Sequence, residues 1–310
     1  LGHRPPLVET APDPRRGGYL VDFWGAGFDV AERMGIVPEL RRGGYQMREA
    51  RAVGRDGRRI ASFEQSAFTG LGDRYVTIGR SVLASAVYEA LDGRVETVFA
   101  DTVDALDDTG GCVRGTFRSG TQREFDLVVG ADGLHSRVRQ LAFGPQEQFE
   151  HQLGIVVAAF EVQGYRRRDE LVAMMHADVG YQLMRLSLRE DMTMFCLTLR
   201  DEGRVRLDHP DEQQALLRRR LAGAGWETPA ALDAMGSAET FYFDRVSQIR
   251  MSSWSRGRVA LVGDAAACPS LLAGQGSALA MVEAYVLAAE LARADGDHTV
   301  AFARYHDRLA

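Results

Sequence analysis

The chain has 310 residues, 45% hydrophobic and 26% charged, a balance that can bury a full core and excludes a disordered or low-complexity protein. A net charge of −6 leaves no broad basic surface for a phosphate backbone, which excludes nucleic acid as the expected partner. All 37 basic residues are arginine, so no mechanism can use a catalytic lysine; Cys112, Cys196 and Cys268 are too scattered for a zinc site or a disulfide framework.

The length predicts two closely joined domains or one domain with an insertion. His3 to Glu9 reads as a short strand closing on an acid, separated by Gly17-Gly18 from helical spacing over Gly25 to Met34. Two extended runs between Val53 and Phe63 flank Asp56-Gly57, a hairpin-turn signal, and Ser81 to Leu91 then reads as a helix. Val95 to Phe99, Val113 to Phe117 and Phe125 to Val129 are predicted strands, punctuated by turn residues as in a meander feeding a final strand.

From about Gln152 to Ile249 longer strands take over: Ile155 to Val162, Leu171 to His176, Gly180 to Leu186 and Thr193 to Leu199, with a helix over Asp211 to Ala224. Val259 to Val262 is a further buried strand, and Ser277 to Ala294 a long helix with Ser277 as its expected N-cap. The apolar stretch from Val259 to Ala292 is broken by Asp264, Pro269, Glu283 and Glu290, so no membrane span is expected. Thiols read as reduced, together with no signal-like start, predict a cytoplasmic protein.

Two constellations carry chemistry. In the run from Val259 to Ala266 a strand delivers Asp264, and Pro269 and Gly274-Gln275-Gly276 then open the long helix. A carboxylate at a strand end can accept bonds from ligand hydroxyls, while glycines let backbone N–H groups at a positive helix start approach a ligand closely. The bland reading is a plain strand-to-helix turn in which Gly274 and Gly276 only permit tight packing. The second run, Asp126 to Arg139, repeats strand, glycine turn, acid (Asp132) and helix start; Asp132-Gly133 alone would be an ordinary turn.

Together the two runs resemble the DG and GD motifs of class A FAD-dependent monooxygenases of the para-hydroxybenzoate hydroxylase type, a family of aromatic-ring hydroxylases and tetracycline-inactivating enzymes. They stand in the family's order, about 130 residues apart, and the resemblance covers nearly the whole chain. It implies an α/β fold: an FAD-binding Rossmann-like (GR2-type) domain over 1–151 and 250–310 with an inserted mixed β-sheet substrate domain over 152–249, to which 44–75 contributes. It also implies that Asp264 bonds the FAD ribityl chain, that Pro269, Gly274 and Gly276 lie beside the isoalloxazine ring, and that Asp132 and Arg139 support the FAD and nicotinamide regions. Glu9 would hold the adenosine ribose, and Arg80 the flavin or its linker. The chain departs from the motif at Ala267, Ala278 and Glu283, where the family often has histidine, asparagine and aspartate. A Gly-x-Gly-x-x-Gly turn precedes an acid such as Glu9 by roughly 20 residues or more, yet eight residues precede it here. The first strand and Gly-rich loop are thus expected to be lacking, the C-terminus to be short, and the 310-residue chain to be largely empty of FAD.

The implied function is a hydroxylase that uses NAD(P)H and O2 through a flavin hydroperoxide on a flat, aromatic or polyketide-like small molecule. FAD would carry the chemistry, with NAD(P)H as co-substrate and no catalytic side chain or metal. Alternate residues of the middle sheet should face the flavin, and the expected substrate contacts are His176, Tyr181, Met184, Phe195, Phe241 and Phe243. A flavin-dependent reductase and a non-catalytic FAD-fold binding protein remain open alternatives.

Overall fold

Short apolar runs that end on an acid or a glycine become parallel strands in the computed structural model, which describes residues 3–14, 19–64, 73–165, 169–201, 203 and 209–310. Strand β1 (Leu7–Glu9) pairs in parallel with β6 (Thr97–Phe99), and β10 (Val128–Gly130) with β17 (Val259–Leu261), to which β16 (Ser255–Arg256) adds antiparallel. Each parallel strand β1, β10 and β17 therefore points its carboxyl end toward one of the three predicted acids, Glu9, Asp132 and Asp264. The Gly17-Gly18 separator lies outside the described residues.

The predicted meander is present as β7 (Val103–Asp108), β8 (Val113–Phe117) and β9 (Gln122–Phe125), in an antiparallel sheet. The single strand expected over Phe125 to Val129 is two: β9 ends at Phe125, and β10 starts at Val128 in another sheet. Alternation did not reveal β2 (Leu20–Trp24), which pairs antiparallel with β5 (Tyr75–Gly79). Around this pair Phe23, Val76 and Ile78 pack with Phe28 and Ala31 of helix α1 (Ala26–Met34), Leu40 of α2 (Val37–Gly43) and Leu83 of α3 (Arg80–Glu89).

The longest strands form one seven-stranded sheet, in the order β15 (Phe241–Ile249), β11 (Glu150–Gln163), β14 (Met192–Arg200), β13 (Tyr181–Ser187), β12 (Val172–Asp178), β3 (Glu49–Val53), β4 (Arg59–Glu64). The hairpin predicted at Asp56-Gly57 is the turn between β3 and β4, and β3 joins the sheet by parallel pairing with β12. One face carries Val156, Ala158, Phe160, Phe195 and Leu197 and is covered by Leu217 of α5 (Pro210–Arg220) and Ala231 and Leu232 of α6 (Thr228–Ala234). The opposite face carries Met184, Leu186 and Met194, packed with Tyr19, Leu20 and Met47.

Helix α4 (Arg137–Ala142) follows β10; α7 (Gly276–Arg293) and α8 (His298–Leu309) close the chain and bury Leu287, Leu291, Phe302 and Tyr305 against β17. The expected N-cap Ser277 lies inside α7, one residue after its start; the cap position is Gln275, and no side chain caps this helix. Gly27 lets α1 lie directly on α7, because a Cβ there would stand 2.6 Å from Ala278 Cα. No helix among the described residues is long and apolar enough to cross a membrane.

Candidate flavin and substrate site

The turn after β17 is built by glycine geometry and a buried acid. Gly263 has φ +62, a conformation that L side chains rarely adopt, and its N–H donates to Glu283 Oε2 at 2.5 Å. Glu283 lies on α7 and is 5% exposed; burial pushes its carboxyl up to about 7, and the neighbouring Asp264 charge pushes the same way. A carboxyl whose folded value is raised above the ordinary 4.5 contributes stability that is fully present below that value and is lost as pH rises through about 7. We expect Glu283→Gln to remove about 3 kcal/mol of pH dependence between these limits, read as the difference in urea-unfolding stability between acid and neutral pH. The same slope in the variant would remove Glu283 as its source.

The loop that follows is held in tension against the seven-stranded sheet. Pro269 O accepts from Gln248 Nε2 at 2.9 Å, and Cys268 O from the Ile249 N–H at 3.0 Å. Between these ties and α7, Ser270 adopts φ 111 and ψ 155, a region nearly reserved for glycine that costs on the order of 1–3 kcal/mol. Strain of this kind persists where surrounding structure over-determines it, as in ligand clamps.

Asp264 stands half-buried at the start of α7, with Oδ1 3.4 Å from where a Gly276 Cβ would sit. Gly274 has φ +65, and a Cβ there would meet nothing within 4 Å. An acceptor carboxylate, two glycines and the uncapped start of an 18-residue helix make a cradle for a ligand that is polyhydroxylated on one side and negatively charged on the other. That is the chemistry of the ribityl diphosphate of FAD, so the residues present fit this group.

Arg80 reaches the same place from α3. Its guanidinium lies 5.7 Å over the Tyr19 ring, and the ionisation of the Tyr19 hydroxyl is pushed up by burial first, with Arg80 pulling it down and Asp264 and Cys268 pushing it up. Tyr19 in turn lies 5.0 Å from the Tyr242 ring on the seven-stranded sheet. Asp264, Arg80, Tyr19, Cys268 and Tyr242 thus converge where the loops meet that sheet. The motifs include Asp264 and Arg80, while the two tyrosines carry no motif signal beyond the aromatic run Phe241-Tyr242-Phe243.

The remaining predicted cofactor residues sit around this centre in supporting positions. Asp132 is exposed and accepts from Ser136 Oγ at 2.5 Å and from Val138 N at 2.9 Å, which fixes the start of α4. Arg139 is fully buried: it donates to Ala265 O at 3.0 Å and to Leu134 O at 2.6 Å, pinning the turn after β10 to the turn after β17. Burial lowers its ionisation, opposed by Asp132 and Glu150. Glu9 is half-buried, and its Oε1 accepts from the Ala11 N–H at 2.8 Å.

Five of the six predicted substrate contacts lie on the helix-covered face. Phe160, Phe195 and Phe241 occupy paired positions there, as do Ala158 and Phe243, and Tyr181 packs in the same core. His176 is buried, bonding Val53 O at 3.1 Å and the Tyr181 hydroxyl at 3.2 Å, so its ring completes a core network. His176, Tyr181, Phe195, Phe241 and Phe243 therefore share the helix-covered face, with His176 and Phe195 buried and the other three partly buried. Met184 alone lies on the face toward Tyr19, beside its cross-strand partner Cys196, which is followed across the sheet by Ala159 and Tyr242.

Residues 27–300 match the family model described as an FAD binding domain. The chain is 40% identical over 309 residues to an uncharacterised protein of Mycobacterium tuberculosis, covering 98% of this chain and 83% of that one. It is 34% identical over 311 residues to a flavin-dependent monooxygenase from an unknown prokaryotic organism, covering 100% and 80%. Among solved structures, the tetracycline destructase Tet(55) superposes with a TM-score of 0.87 at 30% identity, covering 99% of this chain and 78% of that one. HpxO of Klebsiella pneumoniae, solved with FAD and uric acid, shares the fold with a TM-score of 0.78 at 24% identity, covering 96% and 76%. The motifs, the cradle at Asp264 and these matches agree: the chain belongs to the class A FAD-dependent monooxygenases, a family of flavoprotein oxidoreductases.

Proposed function

We propose that the protein hydroxylates an aromatic or polyketide-like small molecule, with NAD(P)H as reductant and O2 as oxygen source. The observation that carries this reading is the convergence of Asp264 and Arg80 around Tyr19, directly against the Met184, Cys196 and Tyr242 face of the sheet. A flavin cradle and a soft, largely apolar surface meet there, which suits a flat ligand held beside the ring. Similarity to a protein described as a tetracycline destructase supports a polycyclic substrate.

When bound, FAD supplies the redox and oxygen chemistry. Asp264 would accept hydrogen bonds from ribityl hydroxyls, and Arg80 and the start of α7 would hold negative charge on the diphosphate and ring. Pro269, Gly274 and Gly276 would let the loop backbone lie against the ring, Glu9 would take the ribose, and Asp132 and Arg139 would hold the two turns in register. Met184, Cys196 and the Tyr19–Tyr242 pair would exclude water from the reacting face. In this reading 152–249 is the substrate unit, joined by the β3–β4 hairpin from 44–75, and 1–151 with 250–310 is the cofactor unit.

The test is oxidation of NADH and of NADPH by the intact gene product, with and without tetracycline and simple phenols. Stimulation of at least about tenfold by one of these compounds is expected, as substrate binding and flavin reduction are coupled in this reading. A flavin-loaded protein that none of them stimulates would contradict the proposed substrate class.

A further inference from the structure

Helix α7 buries two acids and surrounds them differently. Glu290 has two arginine partners, with Arg293 at 2.6 Å and Arg308 at 3.0 Å from its Oε1. Glu283, earlier on the same helix, pairs with no cation among the described residues: it accepts the Gly263 N–H, and the charge beside it is a second carboxylate, Asp264. A buried charge without a countercharge is costly, and a proton removes it. The groups that face Glu283 are Asp264 from the turn after β17 and Tyr305 from α8. Those on the other elements against α7 are engaged elsewhere. On α1, Asp29 and Glu32 pair with Arg74 and Arg33 lies over the Tyr285 ring; on β2, Asp22 takes the Tyr75 and Thr77 hydroxyls.

Tyr305 fixes where that proton belongs. Its hydroxyl is within hydrogen-bonding reach of Glu283, yet it donates to Leu261 O at 3.0 Å. Burial first, and Glu283 in addition, keep the hydroxyl protonated. A phenol has one proton to give, so with that proton spent on Leu261 its oxygen only accepts. The contact with Glu283 therefore closes when the carboxyl carries a proton of its own. An ionised Glu283 would instead draw the Tyr305 proton away from Leu261, the last residue of β17. Burial, which pushes the Glu283 carboxyl up to about 7, acts in the same direction.

We propose that Glu283 is a positioning residue that holds a proton while the cofactor is bound, donating it to the Tyr305 oxygen and accepting from the Gly263 N–H, so that FAD binding is linked to proton uptake. The inference rests on the flavin half of the proposed function. One proton balances the step: free protein with ionised Glu283, FAD and H+ give the loaded protein with Glu283 neutral. The negative diphosphate of the ligand, held by the uncapped start of α7 beside Asp264, disfavours a second charge at Glu283. Protonation in turn keeps the turn shut and leaves Asp264 as its one negative charge, placed to accept from ribityl hydroxyls.

The test is FAD binding by the flavin-stripped intact gene product between about pH 6 and about pH 9, read by quenching of flavin fluorescence. Proton uptake is counted by calorimetry in buffers of low and high ionisation enthalpy. The wild type is expected to bind about tenfold more weakly at the alkaline end, the equivalent of a shift of about one pH unit at Glu283 on binding, and to take up about half a proton midway. E283Q mimics the protonated acid, since its amide accepts from Gly263 and donates to Tyr305. It should bind as the wild type does in acid, with no pH dependence and no proton uptake. Y305F removes the acceptor of the Glu283 proton, so the midpoint of the affinity loss should move to lower pH. A merely structural Glu283 would weaken E283Q at every pH and leave the slope as in the wild type. An E283Q that keeps the wild-type slope, or a midpoint raised in Y305F, overturns the proposal. Tight wild-type binding without pH dependence overturns it alone, whereas a wild type that binds no FAD at any pH overturns the flavin reading with it.

Discussion

Arg139→Leu should cost about 3 kcal/mol of folding stability, the largest loss expected from a single substitution near the site. The side chain is fully buried, and its two terminal nitrogens satisfy the carbonyls of Ala265 and Leu134, which belong to the two motif turns. Leucine fills much of the volume but leaves both carbonyls without this donor, and each buried unsatisfied group costs about 1–3 kcal/mol. Asp132 and Glu150 would also lose a buried countercharge. Arg139→Lys should recover little, since one ammonium lacks the planar fork that reaches both carbonyls. The urea midpoint of the purified variants checks this, and a Leu variant within about 0.5 kcal/mol of the wild type would show that the turns hold each other without Arg139.

Asp264→Ala should leave the fold in place and weaken FAD retention by roughly 10- to 150-fold, the equivalent of losing one charge-assisted bond worth about 1.5–3 kcal/mol. Asp264 is half-buried just past a strand end and, among the described residues, accepts from no backbone N–H, unlike Glu283, which takes the Gly263 N–H. Its removal therefore acts on the ligand more than on the turn. Flavin content after gel filtration, beside an unchanged unfolding midpoint, is the readout. Undiminished retention in a folded Asp264→Ala protein would remove this carboxylate from the cofactor site.

The cofactor side was the more legible half of the sequence. Strand, glycine turn, acid and helix start are local features; β17 before Asp264 came out where local signals put it, while β10 before Asp132 starts at Val128 instead of Phe125. Even here, Arg139 binds carbonyls from two segments that lie 126 positions apart for Ala265 and 5 for Leu134, and no local pattern announces such a clamp.

The substrate side was legible as strands but not as faces. In the seven-stranded sheet both faces are apolar, one packed under α5 and α6 and the other against Tyr19, Leu20 and Met47, so alternation could not say which parity looks toward the flavin. The run Phe241-Tyr242-Phe243 carries the same ambiguity, since its neighbours look to opposite faces. Within the run 241–243 the two phenylalanines stack on the helix-covered face, while Tyr242 lies against Tyr19 on the other. The hairpin at 49–64 joins this sheet by pairing with β12, a contact between segments more than 100 residues apart that only the fold reveals.

The proposed reaction inserts one atom of dioxygen into an organic substrate at a bound flavin. The most direct measurement is turnover of a compound that stimulates NAD(P)H oxidation under 18O-labelled dioxygen, with mass spectrometry of the product. FAD in the intact gene product and one labelled oxygen in each product molecule are expected. A product reduced or dehydrogenated without label would contradict it and assign the same site to a flavin-linked reductase or dehydrogenase.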